Sequence, residues 1–344
     1  MDGSWSTWRA PLEALCDDIR AATLNATREA RAAGTAERLA RPAAVGAGDV
    51  TFGLDEPSEH CIDRWLAARA AEGPLSVLTE DRGWRHQGPA AGGGVRELDT
   101  FAHGGPRIAF DPIDGTRNLM AELRSAWTVV SFAPPGDGAP RQRDVSAGIV
   151  AELPTRLAAI YRVFHAERGG PCAYAERSLA TGEAQLENEL TADDDDRPDH
   201  GYLPFFRYRP EHRPALARLE AAFFERLERH EDADLRSVYD DQYISNAGQL
   251  ALLSLGTYRA VFDARALVAQ RLGEPTVTSK PYDVAGAIVC AQAAGAVVLG
   301  ADGGELDFPI DTETPVHFSG YANEATRRRL EPHWMAVLER PIER

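Results

Sequence analysis

The chain has 344 residues, of which 44% are hydrophobic and 26% charged. That is the make-up of an ordinary globular protein with room for one large domain or two. Its formal net charge of −16 excludes nucleic acid and anionic membrane as general partners, because a bare acidic surface repels both. The four cysteines, Cys16, Cys61, Cys172 and Cys290, form no C-x-x-C pair. With no H-x-x-H or H-x₃-H among the histidines, neither a disulfide framework nor a zinc site is expected, and a reducing cytoplasm fits. The first residues lack a basic region followed by an apolar run, so no secretory signal is expected. No apolar run reaches the ~20 residues of a membrane span.

In chain order, residues 8–32 carry Leu12, Leu15, Ile19 and Leu24 near helical spacing. A polar, Gly-rich loop is expected up to Asp49, then a helix over 56–70 with Pro57 in its first turn. Ser76-Val77-Leu78 reads as a buried strand running to Glu80. The Gly-rich stretch 85–106 reads as a loop or hairpin insertion, and 107–110 as a strand entering Asp111. Strands over 126–133, 145–152 and 157–164, separated by turns, predict an antiparallel meander. The polar stretch 178–214, with Asp193 to Asp196, reads as a connection and a solvated loop. Helices are expected over 214–230, 244–255 and 283–294, with strands near 258–263 and 296–299. The chain is therefore expected to form an α+β or α/β protein of two lobes, residues 1–185 and 186–344.

The segment Asp111-Pro112-Ile113-Asp114-Gly115-Thr116 carries the chemistry. Pro112 fixes its own φ and holds Asp111 extended, so both carboxylates emerge at a strand end. Gly115 permits close backbone approach by a ligand, and amides beyond it can face a phosphate. Carboxylates beside such a nest suit the hard, oxygen-seeking Mg²⁺, whose water can serve as a nucleophile. An Asx turn at a strand end is the plain structural alternative, but the full hexapeptide is far rarer than such turns.

This hexapeptide, with Asn118, resembles the signature of the inositol monophosphatase family, part of a superfamily that includes fructose-1,6-bisphosphatases and lithium-sensitive phosphatases. Three further segments match in order. Leu78-Thr79-Glu80-Asp81 resembles the family's paired acidic segment. Asp49-Val50-Thr51 with Asp55 and Glu59 resembles the segment that supplies an aspartate near the attacking water. Lys280-Pro281-Tyr282-Asp283-Val284-Ala285-Gly286 resembles its second signature, with tyrosine in place of the usual tryptophan. The lysine often found ahead of the Asp-x-x-Thr segment is missing, since Lys280 is the chain's only lysine.

The resemblance implies a layered αβαβα sugar-phosphatase-type fold, with an antiparallel N-terminal sheet and a mixed C-terminal one. It implies hydrolysis of a small phosphate monoester, inositol, cyclitol or sugar phosphate, by a metal-activated water. Two or three Mg²⁺ ions are expected on Glu80, Asp111, the Ile113 carbonyl, Asp114 and Asp283. Thr116, hydrogen-bonded to Asp55, would orient the water, with Glu80 also catalytic. Gly115, Thr116 and Asp114 would meet phosphate or substrate. A homodimer is implied. Fructose 1,6-bisphosphate, histidinol phosphate and 3′-phosphonucleotides are the alternative substrates, and a non-catalytic scaffold is the alternative from another class. Asp55 could instead cap the 56–70 helix, and Asp283 could cap the helix it begins. Arg117, Arg265 and Lys280 are candidate substrate contacts, Asn246-Ala247-Gly248 a second substrate-side turn, and 264–281 a specificity loop.

Overall fold

The computed structural model describes residues 3–34, 42–45, 50–207, 210–231, 234–275 and 278–342. Asp49, part of the expected water-side segment, lies outside them.

Two amphipathic helices, α1 (Trp5–Ala32) and α2 (Asp55–Glu72), lie in sequence around a short antiparallel pair, β1 (Pro42–Val45) and β2 (Val50–Phe52), where a polar loop was expected. Then come β3 (Leu75–Thr79), β4 (Gly83–Pro89), β5 (Val95–Glu97), β6 (Arg107–Asp114), the short helix α3 (Thr116–Met120), β7 (Ala126–Ala133), β8 (Ala147–Leu153), β9 (Ile160–Glu167), β10 (Cys172–Ser178) and β11 (Ala184–Leu190). Among the described residues β3 to β11 form one sheet in the order β11-β10-β9-β8-β7-β6-β3-β4-β5. All its pairings are antiparallel except β3 with β6.

The C-terminal half supplies α4 (Arg213–Glu231), α5 (Asn246–Ser254), β12 (Ala260–Asp263), α6 (Arg265–Leu272), α7 (Pro281–Ala293), β13 (Val297–Leu299), β14 (Phe318–Tyr321) and α8 (Glu324–Leu338). Its sheet has the antiparallel order β12-β14-β13. The expected assignment of sheet types is thus reversed: the large N-terminal sheet is the mixed one, through β3 and β6, and the small C-terminal sheet is antiparallel, with only isolated parallel bridges from Tyr202 to Tyr258 and from Phe205 to Phe262 beside it.

Strand alternation sorts the side chains into layers, because successive residues of a strand face opposite sides. In β6, Ile108 and Phe110 join α1 and α2 in one core, whereas Ala109 faces α5 and α7 in another. In β12, Val261 joins that second core, while Ala260 and Phe262 pack with α4 and α8 in a third. The result is helices, large sheet, helices, small sheet, helices: the expected αβαβα stack. The third core is aromatic, with Phe205 stacked on Phe262 at 4.5 Å between centroids.

Besides the β1–β2 pair, and β14 and α8 for which no element was expected, three further segments differ from expectation. β10 and β11 were not foreseen as a hairpin. β11 is exposed on both faces along nearly its whole length, although its sequence sets Ala184, Leu186 and Leu190 on one face against Gln185, Glu187 and Glu189 on the other. The Asp193 to Asp196 run is pinned rather than simply solvated. Asp193 Oδ2 pairs with the buried Arg259 at 3.1 Å, and the Asp195 carbonyl accepts from Asn323 Nδ2 at 3.0 Å and Thr326 Oγ1 at 3.1 Å. The 264–281 stretch is not merely a loop, since it contains α6. Among the described residues no helix is long and apolar enough to cross a membrane.

Candidate active site

β3 and β6 are parallel neighbours, so their C-terminal ends open at the same end of the sheet. Leu78 registers with Ala109; two residues further on each strand come Glu80 and Asp111. Asp111 shares the parity of Ala109 and therefore faces the layer of α5 and α7. The ladder between β6 and β7 shifts register between Asp111 and Asp114, an irregularity after which Asp114 pairs again with Trp127.

Asp111 is 7% exposed, and its Oδ1 accepts from the Ile113 amide at 2.9 Å. Burial raises its pKa well above the ordinary carboxylate range, and the charges of Asp283, Asp114 and Glu80 raise it further. Carboxylates from four places in the chain thus act on one another electrostatically.

Gly115 has φ 96°, a left-handed conformation, and a Cβ there would stand 3.0 Å from the Ile244 carbonyl and from Ser245 Cβ. Glycine meets both demands. This close approach brings Asp114 to the start of α5, where its Oδ2 accepts from Ser245 Oγ at 2.7 Å and from the Ala247 amide at 2.6 Å. Burial pushes the Asp114 carboxyl up to about 6, against the lowering effect of these hydrogen bonds and of the Arg265 charge. Asn118 Nδ2 donates to the Ile244 carbonyl at 2.7 Å and fastens the other side of the turn. Ser245 also caps α5, its Oγ accepting from the Gly248 amide at 2.8 Å.

Asp283 occupies the first turn of α7, and its Oδ2 accepts from the Lys280 amide at 2.8 Å. The N-cap is Lys280 and the helix begins at Pro281, so Asp283 is not the N-cap weighed as its alternative; it stands at the third helical position and accepts from the N-cap amide. The helix can approach β7 and β8 because glycines meet there. A Cβ on Gly286 would lie 2.1 Å from the Val130 carbonyl, and one on Gly148 would lie 2.2 Å from the Gly286 carbonyl.

Asp55 is the first residue of α2, whose N-cap is Leu54, so it does not take the capping role weighed as its alternative. Its Oδ1 accepts from Thr116 Oγ1 at 3.3 Å, across 61 residues of sequence. The same hydroxyl lies 2.9 Å from the Ile113 carbonyl. One hydroxyl proton thus serves two acceptors.

The candidate substrate cations divide differently. Arg265 is buried and bound to Asp263, with Nη2 2.6 Å from Oδ2, which removes it from the surface. Lys280 Nζ donates to the Glu313 carbonyl at 2.7 Å. Ser245 went unrecognised in the sequence, although a serine just ahead of Asn246 and an apolar helix is an N-cap signal. The pairing of Asp263 with Arg265 leaves no signal in the sequence beyond two nearby opposite charges.

Among the described residues, no three Asp, Glu, His or Cys side chains close around a common point as a finished metal cage. The fit to a cation rests on donor chemistry. Besides burial itself, the charges that act on Asp111 are those of three other carboxylates, hard oxygen donors of like charge that suit a hard divalent ion. No soft or imidazole donor is among them.

No protein-family model matches the chain, and no curated protein matches it. Solved structures do. Inositol monophosphatase-II from Staphylococcus aureus MSSA476 aligns with a TM-score of 0.56 and 16% identity, covering 97% of each chain. A gene product described as an inositol monophosphatase–fructose 1,6 bisphosphatase aligns with a TM-score of 0.61 and 15% identity, over 96% of this chain and 99% of that one. The extragenic suppressor protein SuhB from Bartonella henselae aligns with a TM-score of 0.57 and 16% identity, over 93% and 98%. Over nearly its full length, the chain has the fold of the inositol monophosphatase-like structures.

Proposed function

We propose that the protein is a Mg²⁺-dependent phosphoric monoester hydrolase acting on a small polyol or sugar phosphate. The observation that carries this reading is the Thr116–Asp55 hydrogen bond at the turn that holds buried Asp111, on which the charges of Asp283, Asp114 and Glu80 act. The likeness to structures named as inositol monophosphatases supports the reading at the level of fold.

In this reading Glu80, Asp111, Asp114, Asp283 and the Ile113 carbonyl hold Mg²⁺. The ion supplies Lewis acidity, which spreads phosphoryl charge and makes water more acidic. Thr116 Oγ1 donates its proton to Asp55, which turns a hydroxyl lone pair toward the attacking water. Asp55 then draws proton density from that water through the hydroxyl. The amides of Gly115 and Thr116 hold phosphate oxygens as charge develops. Helix α3 is too short to add much dipole, so the individual amides carry this role. Ser245 and the Ala247 amide fix the Asp114 carboxylate so that it presents one edge consistently.

The test is phosphate release from a panel holding inositol phosphates, fructose 1,6-bisphosphate, histidinol phosphate and 3′-phosphonucleotides, with Mg²⁺ or EDTA. Mg²⁺-dependent release from one class supports the reading and names the substrate. No release from any ester by folded protein with Mg²⁺ contradicts it and favours a binding role.

A further inference from the structure

Asp263 and Arg265 lie outside the carboxylate set, yet they form the most enclosed charged pair among the described residues. Asp263 is 0% exposed and Arg265 5%. Asp263 ends β12, and Arg265 opens α6. The guanidinium binds the carboxylate in a fork, Nε to Oδ1 at 2.7 Å and Nη2 to Oδ2 at 2.6 Å. Its plane lies 4.0 Å from the centroid of the Phe206 ring.

The pair reaches two other segments. Asn246 Nδ2 donates to Asp263 Oδ2 at 3.0 Å, and Ser279 Oγ donates to the same oxygen at 2.9 Å. Arg265 Nη2 also donates to Ser279 Oγ at 3.0 Å. Asn246 is the first residue of α5, between Ser245 and Ala247, which bind Asp114. Ser279 directly precedes Lys280, whose amide binds Asp283. One buried oxygen therefore ties the frame of Asp114 to the frame of Asp283.

We propose that Asp263 and Arg265 are positioning residues: a buried clamp that sets the separation of Asp114 and Asp283 and thereby the cation affinity of the site. The inference rests on the reading that those aspartates hold a cation. An ion pair this deep costs desolvation that a pair of apolar residues would avoid, so it is a poor device for stability alone. What the apolar pair cannot supply is directional bonding to both Asn246 and Ser279. Arg265 cannot be replaced freely either, because its fork meets Asp263 and Ser279 at once.

The test is titration of Mn²⁺ into metal-stripped protein by calorimetry. The double variant Asp263→Leu/Arg265→Met keeps net charge while removing every side-chain bond of the clamp. The expected result is a folded protein whose Mn²⁺ affinity falls at least ten-fold. Affinity within two-fold of the parent in that folded variant overturns the proposal. Should the double variant not fold, Ser279→Ala decides, because it removes a single hydroxyl. A loss of about three-fold is expected, and unchanged affinity overturns the clamp. Asp111→Asn separates the two ideas. If it binds Mn²⁺ as the parent does, the metal reading itself fails. If it loses binding while the clamp variants keep theirs, only the clamp fails.

Discussion

Thr116→Val removes one hydroxyl and little else. In the structure that hydroxyl serves two acceptors, the Ile113 carbonyl at 2.9 Å and Asp55 Oδ1 at 3.3 Å. It can satisfy only one at a time with a full hydrogen bond. Its loss to folding is therefore that of one partly exposed bond, about 1 kcal/mol. The effect on rate is of a different size. With valine, Asp55 has no relay to the attacking water, and loss of such a proton-transfer array costs roughly 10²–10⁴-fold in kcat. The substrate's phosphate still meets the Gly115 and Thr116 amides, so KM should move little. Steady-state kinetics beside urea unfolding measures both quantities. Asp55→Asn should reproduce the kinetic loss, and Thr116→Val/Asp55→Asn should be hardly worse than either alone, because the two act as one unit. A kcat for Thr116→Val within three-fold of the parent, at intact stability, would refute the relay.

Gly286→Ala places a Cβ 2.1 Å from the backbone carbonyl of Val130, so α7 must move off the sheet. Urea unfolding should show at least about 1–3 kcal/mol of destabilisation, and a change under 0.5 kcal/mol, about the noise of surface substitutions, would contradict this packing. Burial, reinforced by the Asp81 charge, pushes the Glu59 carboxyl from 4.5 up to about 7, and its Oε2 is buried with no hydrogen-bond partner. A carboxyl raised on folding favours the folded state below the unfolded value and loses that advantage as pH rises through the folded one. In EDTA, stability should therefore fall between about pH 4.5 and 7. Glu59→Gln should flatten the fall, gaining on the parent by about 1–3 kcal/mol at pH 8; parallel pH profiles would contradict it. Saturating Mg²⁺ should raise the thermal midpoint through binding to the folded state, by the equivalent of about 2.7 kcal/mol at 100 times Kd. Asp111→Asn should remove that shift, and an equal shift in the variant would place the ion elsewhere.

The carboxylates were legible because their signals are local. Asp111 and Asp114 sit in one turn whose proline and glycine dictate its shape. Asp283 stands where a helix cap is expected, and Glu80 follows a short apolar run. Topology adds one pair, since the parallel pairing of β3 with β6 puts Glu80 and Asp111 at one end of the sheet. Local signals also placed α1, α2, α4, α5 and α7 to within a few residues, whereas α6 and α8 were not foreseen. What was not legible depends on distant partners. Asp55 fits both a helix cap and a water-activating base until Thr116 is seen beside it. Arg265 looks like a free surface cation until Asp263 encloses it. The Asp193 to Asp196 run reads as solvated because its partners, Arg259, Asn323 and Thr326, come more than 60 residues later. β11 is exposed on both faces, and its pairing with β10 is what makes it a strand.

The most direct test compares the initial rate of phosphate release for the parent and Asp111→Asn across a Mg²⁺ titration, on the best ester of the panel. The account predicts a rate that rises with Mg²⁺, vanishes in EDTA, and drops by three orders of magnitude or more in the variant while its fold persists, as expected when a charged ligand at the reacting centre is neutralised. A folded Asp111→Asn protein that releases phosphate at the parental rate, or a parent indifferent to EDTA, would contradict it.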